Sequence, residues 1–167
     1  MSRAAWGSVL FFLVAPGVMG GLIPFAITGY DDPAGPLPVT AGTVLVVAGV
    51  AALVACFVQF VREGRGTPAP VAPTKELVVG GLYRWVRNPM YLAVAATIGG
   101  QALVFGSGGL VVWLVVFAVA VVSFVTVYEQ PTLRQDYGEA YDAYCRNVPG
   151  WWPRLTPWDP GRPASSR

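Results

Sequence analysis

The chain has 167 residues, of which 54% are hydrophobic and only 12% charged, against about 25% charged residues in soluble domains. A soluble fold of this length has too little interior to hide so much apolar surface, so the composition points to a bilayer as the solvent. The net charge of +2 leaves no basic footprint for nucleic acid, and the absence of histidine removes the commonest metal ligand and excludes Ser-His-Asp and Cys-His catalysis.

In chain order, the first apolar run extends from about Ala4 to Ile27. It is long for a signal-peptide core, so a retained span is expected. Pro16 and Pro24 predict kinks, and Gly17 with Gly21 forms a small-xxx-small pair suited to close helix approach. The second run, about Val39 to Val61, is nearly pure Val, Ala, Leu and Gly. A polar stretch, Arg62 to Asn88, follows. Its segment Gly64 to Pro73 cannot be regular helix and reads as a linker or an extended strap at the membrane surface. The third run, Pro89 to Phe105, is short. Gly106 to Gly109 form a turn, and the fourth run, Leu110 to Tyr128, is long enough to cross a bilayer. The third and fourth runs therefore predict a helical hairpin.

Glu129 ends the last apolar run, and Pro131 predicts a break or a new helix start. Beyond it, Leu133, Tyr137, Tyr141, Tyr144 and Val148 recur at helical spacing, which predicts one amphipathic helix lying on the hairpin. The residues after Trp158 have the composition of a disordered tail. Arg62, Arg65, Lys75, Arg84 and Arg87 lie between the second and third runs, and further arginines follow the fourth; the other two connections carry no Lys or Arg. The positive-inside rule then places both termini and the middle loop in the cytoplasm. The expected fold is one all-α integral membrane domain of about four transmembrane helices plus a C-terminal amphipathic cytoplasmic helix.

Two polar clusters flank the hairpin on that same side. The first runs from Gly81 to Tyr91, the second from Tyr128 to Trp152. Asn88-Pro89 suits a helix start, so Asn88 serves as a cap or as a ligand group. Tyr83, Trp85 and Tyr91 read as an interfacial belt or as pocket walls, and Arg84 and Arg87 as topology charges or as an anion clamp. A carboxylate at the depth of Glu129 needs a partner, so it is a functional candidate, with an ion pair to Arg84 or Arg87 as the structural alternative. Cys56 and Cys145 indicate neither a disulfide framework nor a zinc site.

Residues 80 to 92, GGLYRWVRNPMYL, resemble the first signature of the isoprenylcysteine carboxyl methyltransferase and phospholipid methyltransferase superfamily, Gly-x-Tyr-(Arg)-x-x-Arg-(His/Asn)-Pro-x-Tyr. Residues 128 to 153, YEQPTLRQDYGEAYDAYCRNVPGWWP, resemble its second. The chain departs from the pattern at Gln130, where a second glutamate is frequent, at Ala93, and at Gly150, where arginine is frequent. The resemblance implies an S-adenosylmethionine-dependent membrane methyltransferase acting on a lipophilic acceptor such as an isoprenylcysteine carboxylate, an isoprenoid or a phospholipid headgroup. By the same carry-over, Tyr83, Arg87, Asn88, Pro89, Tyr91, Leu92 and Glu129 would hold the cofactor, with Glu129 and Arg87 catalytic. Arg84, Arg134, Tyr137, Tyr141 and Arg154 would face the substrate. No metal and no nucleic acid are implied; membrane lipids are the expected partners. A nicotinamide-dependent sterol reductase and a non-catalytic membrane scaffold are the alternatives.

Overall fold

The computed structural model describes residues 14–63 and 77–159. The Gly64 to Pro73 segment, the start of the first apolar run and the last eight residues lie outside the described residues. Among the described residues five helices carry the fold: α1 (Val14–Thr28), α2 (Pro36–Glu63), α3 (Pro89–Phe105), α4 (Gly108–Tyr137) and α5 (Glu139–Asn147). A 3-10 turn, Gly81–Arg84, precedes α3, and no strand occurs among the described residues.

Two of these helices, α2 and α4, are long and apolar enough to cross a membrane, with mean hydropathies of 2.5 and 2.9. A soluble protein would bury such helices in its core. Here only 17% of each apolar window is buried inside the protein, and Val47, Val112 and Val119 are each more than 60% exposed. Surface of this kind is stable in hydrocarbon and unfavourable in water. Helices α1, in its described part, and α3 are shorter apolar helices.

The principal helix contact is α2 against α3. Its closeness depends on glycine. A Cβ on Gly42 would lie 2.5 Å from the Gly100 carbonyl oxygen, and one on Gly49 would lie 2.7 Å from that of Ala93. The expected close approach at Gly17 and Gly21 is not seen; a Cβ on either would meet nothing within 4 Å. Small residues let helices touch only where the crossing falls, and here it falls on Gly42, Gly49 and Gly100.

The hairpin forms as its sequence indicates. Gly106 takes φ 56°, and Ser107 caps α4 by accepting a hydrogen bond from the Leu110 N–H at 3.3 Å. Two other expectations are corrected. Pro131 does not break the helix; it stands in the first turn of an α-helical segment, Gln130–Tyr137, that follows a π-helical stretch, Val125–Glu129, without interruption. The predicted single amphipathic helix is instead divided at Gly138, whose φ 50° and ψ −125° suit only glycine. Its apolar stripe still faces inward: Tyr141, Tyr144 and Val148 are buried with Cys56, Val78 and Tyr83, and Leu133 and Tyr137 pack against them.

Helix α1 carries a second π-helical stretch, Val18–Leu22. Widened turns leave carbonyls without good intrahelical partners. Three are taken by side chains: Trp113 Nε1 donates to Met19 at 3.0 Å, Gln101 Nε2 to Gly20 at 2.7 Å, and the Tyr30 hydroxyl to Gly21 at 3.0 Å. These bonds fasten α1 to α3 and α4.

Candidate functional site

Arg87 and Glu129, forty-two positions apart, line one cavity at the end of the helices where α3 begins. Its polar wall is Arg87, Asn88, Glu129 and Gln130; its apolar and aromatic walls include Phe60, Val78, Tyr83, Leu133, Tyr141 and Tyr144. Unfilled space within it amounts to about 550 Å³ including the open mouth, and the fully hollow part is about 80 Å³. Ligand pockets typically measure about 300 to 1,000 Å³, so a nucleoside-sized ligand would occupy the mouth and displace side chains from the narrow interior.

Each polar group is held by a specific element. The π-helical stretch ends at Glu129, and its Oε2 accepts a hydrogen bond from the Tyr91 hydroxyl at 2.9 Å. The partner of this carboxylate is thus a phenol of α3 rather than Arg84 or Arg87. Arg87 donates through Nη1 to Cys145 Sγ at 2.7 Å. Its Nε is buried without a hydrogen-bond partner, as is the Tyr83 hydroxyl, which interacts electrostatically with the Cys56 thiol. A buried donor left unpaired is destabilising by about 1 to 3 kcal/mol, so an arginine in this state is prepared for an acceptor.

Asn88 stands at the N-cap position of α3 yet makes no side-chain cap bond. Its amide donates instead to the Gly150 carbonyl at 3.1 Å. This bond belongs to a strap, residues 149–158, laid across the turn before α3. The Arg87 N–H donates to Pro149 O, the Arg154 N–H to Trp85 O and the Trp158 N–H to Arg84 O, each at 2.9 Å. Gly150 permits the close pass: a Cβ there would lie 3.3 Å from Arg87 Nη2.

The remaining candidates divide. Tyr137 and Tyr141 line the cavity. Pro89 is buried in the first turn of α3, and Leu92 is half-buried in the same helix without lining the cavity. Arg84 donates through Nε to the Trp158 carbonyl at 2.5 Å. Exposed Arg134 pairs with Asp142 at 3.2 Å, and Arg154 binds the Asn147 carbonyl. These three arginines are engaged away from the cavity. Burial raises the pKa values of the cavity phenols, Tyr141 to about 12 and Tyr83 and Tyr144 in the same direction. All three are neutral hydroxyls at neutral pH.

Sequence reasoning did not single out Cys145 as the partner of Arg87, nor Trp158 as a latch on Arg84. Neither has a local signal, since both contacts join segments more than fifty positions apart. Tyr144 was visible in the helical stripe, and its hydroxyl donates to the Tyr83 carbonyl at 2.8 Å.

Among the described residues, apolar helices with exposed faces and a polar cavity at their end are the features of a membrane protein. The phospholipid methyltransferase family model matches residues 37–140, more than half of the chain, and includes Arg87 and Glu129. The chain belongs to that family, which places it among the methyltransferases of membranes. No curated protein and no solved structure matches it.

Proposed function

We propose that the protein transfers a methyl group from S-adenosylmethionine to a lipophilic acceptor at the cytoplasmic edge of the bilayer, with four spans and both termini in the cytoplasm. The observation that supports it most is the meeting of Arg87 and Glu129 in one half-closed cavity, with Arg87 Nε left unpaired. The donor set fits the cofactor. A guanidinium matches its carboxylate, the Glu129 carboxylate matches its amino group or ribose hydroxyls, and the aromatic wall around Tyr83 suits a flat base.

When bound, S-adenosylmethionine supplies an electrophilic methyl group carried on a sulfonium. The chain's own residues bind, orient and exclude water. Arg87 anchors an anion, and Cys145 and the strap fix its direction. Tyr91 fixes the Glu129 carboxylate. The apolar walls lower the local dielectric, which favours a displacement in which opposite charges cancel. A carboxylate acceptor needs no general base; an amine acceptor must lose a proton, and Glu129 is the carboxylate in the cavity wall able to take it.

The test is transfer of labelled methyl into a lipid extract by detergent-purified protein, with Arg87→Ala and Glu129→Ala alongside. Both variants should lose cofactor binding or turnover by about a hundredfold or more, as removal of a charge-assisted contact implies. Full activity in both would refute the assignment, and saturable binding of a nicotinamide cofactor instead would indicate a reductase.

A further inference from the structure

The turn that presents Tyr83, Arg87 and Asn88 to the cavity is held at both ends. The strap holds its later residues through Arg84, Trp85 and Arg87. Its start is held by the polar end of α2. The apolar span of α2 closes at Phe60, and the helix runs on to Glu63, so Gln59 and Glu63 share a face one turn apart. The Gly80 N–H donates to Glu63 Oε2 at 3.0 Å. We propose that Glu63 is a positioning residue of the methyl-transfer site, which anchors the Gly80 end of this turn to α2 and thereby sets the affinity for the cofactor.

Three observations carry the assignment. First, the bond lies directly before the residues that line the cavity. Gly80 is the N-cap of the 3-10 turn Gly81–Arg84, and its carbonyl accepts from the Tyr83 N–H at 3.1 Å. One residue thus joins α2 through its N–H and Tyr83 through its carbonyl. Second, α2 meets Tyr83 itself. Phe60, between Gln59 and Glu63, packs edge-on against the Tyr83 ring with centroids 5.6 Å apart, and both line the cavity. Third, the approach leaves room only for glycine. A Cβ on Gly80 would overlap the ends of the Glu63 and Gln59 side chains, and one on Gly81 would lie 3.0 Å from Gln59 Oε1. Gly80 has φ −86° and ψ 177°, extended backbone that any residue adopts. The contact with α2, and no backbone strain, is therefore what glycine serves at position 80.

A carboxylate is a stronger acceptor for a backbone N–H than a neutral group. Glu63 stands past the apolar span, where a charge is not held at hydrocarbon depth. It does not line the cavity, so it acts on the ligand through Tyr83 and the turn rather than by contact. This inference rests on the methyl-transfer reading for the identity of the ligand; the anchoring of the turn does not.

The experiment uses the full chain in phospholipid nanodiscs. Calorimetry reads the binding of S-adenosylhomocysteine, and mass spectrometry reads amide hydrogen exchange over residues 77–88. Glu63→Ala should raise the Kd about tenfold, the size expected for loss of a charge-assisted bond, and should speed exchange in the turn. Glu63→Gln keeps an acceptor oxygen and should restore most of the affinity. Gly80→Ala displaces the carboxylate from the other side and should match Glu63→Ala. The double variant should stay near tenfold rather than reach about a hundredfold, because both changes remove one contact. In methyl transfer, KM for the cofactor should rise far more than kcat falls; a merely structural residue would lower the amount of active protein and leave the Kd of the folded fraction alone. An unaltered Kd, additive losses or no rescue by Glu63→Gln would overturn the proposal. Exchange needs no ligand, so the two readings separate. Unchanged exchange in Glu63→Ala, with S-adenosylhomocysteine still bound, overturns the anchoring and keeps the reaction. Wild-type protein that binds no S-adenosyl compound overturns the reaction, and with it the cofactor role of Glu63, while faster exchange in the variant keeps the anchoring.

Discussion

At the scale of single residues, the site depends on two polar groups whose partners come from other elements. Tyr91 binds Glu129 across the hairpin, so Tyr91→Phe removes one hydrogen bond without changing shape. A bond to a charged group contributes about 1.5 to 3 kcal/mol. Turnover should fall roughly ten- to hundredfold, read as methyl transfer at saturating cofactor. Burial holds Tyr83, Tyr141 and Tyr144 above the ordinary phenol range. A raised pKa means that the neutral hydroxyl is the stable form in the folded protein. Their contribution is complete below about pH 10 and lost only as pH rises further. Ultraviolet titration of the folded protein should show these tyrosines ionising later than in the denatured chain, and the pH–rate profile should carry no tyrosine inflection below about pH 10.

Between elements, glycine and the π-helical stretches decide the packing. At Gly100 a Cβ would lie 2.7 Å from the Gly42 carbonyl and 2.8 Å from the Val46 amide, backbone atoms that cannot turn aside. Gly100→Val should destabilise by about 1 to 3 kcal/mol or more, seen as a lower midpoint in thermal unfolding of detergent-solubilised protein. Gly17→Ala, in open space, should leave that midpoint unchanged or raise it. Gln101→Leu removes the donor to the Gly20 carbonyl and should destabilise by about 1 to 3 kcal/mol, since a buried acceptor is left unpaired. At Gly138, φ 50° with ψ −125° lets the chain turn from α4 into α5. Gly138→Ala forces a side chain into that conformation, at about 1 to 3 kcal/mol, and should loosen α5 before it disturbs α2 or α3.

For the whole molecule, the strap 149–158 lies outside the residues that define the family match and closes over the turn that presents Arg87 and Asn88. Truncation after Pro153 removes the bonds from Arg154 and Trp158. Cys145 should then react faster with a maleimide, while buried Cys56 keeps its protection. The proposed topology has its own check. Single cysteines placed at Asp31 and at Asp159 should be labelled from opposite sides of a sealed vesicle, and labelling of both from one side would remove the four-span arrangement.

Much of this was legible in the chain itself. The α3–α4 hairpin followed from two apolar runs and Gly106-Ser107, and the burial of Tyr141, Tyr144 and Val148 followed from their spacing. Such features are local: hydrophobic periodicity and turn chemistry act over a few residues and survive any tertiary arrangement. The sequence alone also determined that this is a membrane protein, because composition decides which solvent the surface tolerates. Tertiary structure decided the rest. Which glycines lie at the α2–α3 crossing, that Glu129 answers to Tyr91 rather than to an arginine, and that Arg84 latches the strap instead of facing the cavity all depend on contacts between distant segments. A side chain's chemistry states what it can bind. Only the packing of the helices selects, among several suitable partners, the one within reach.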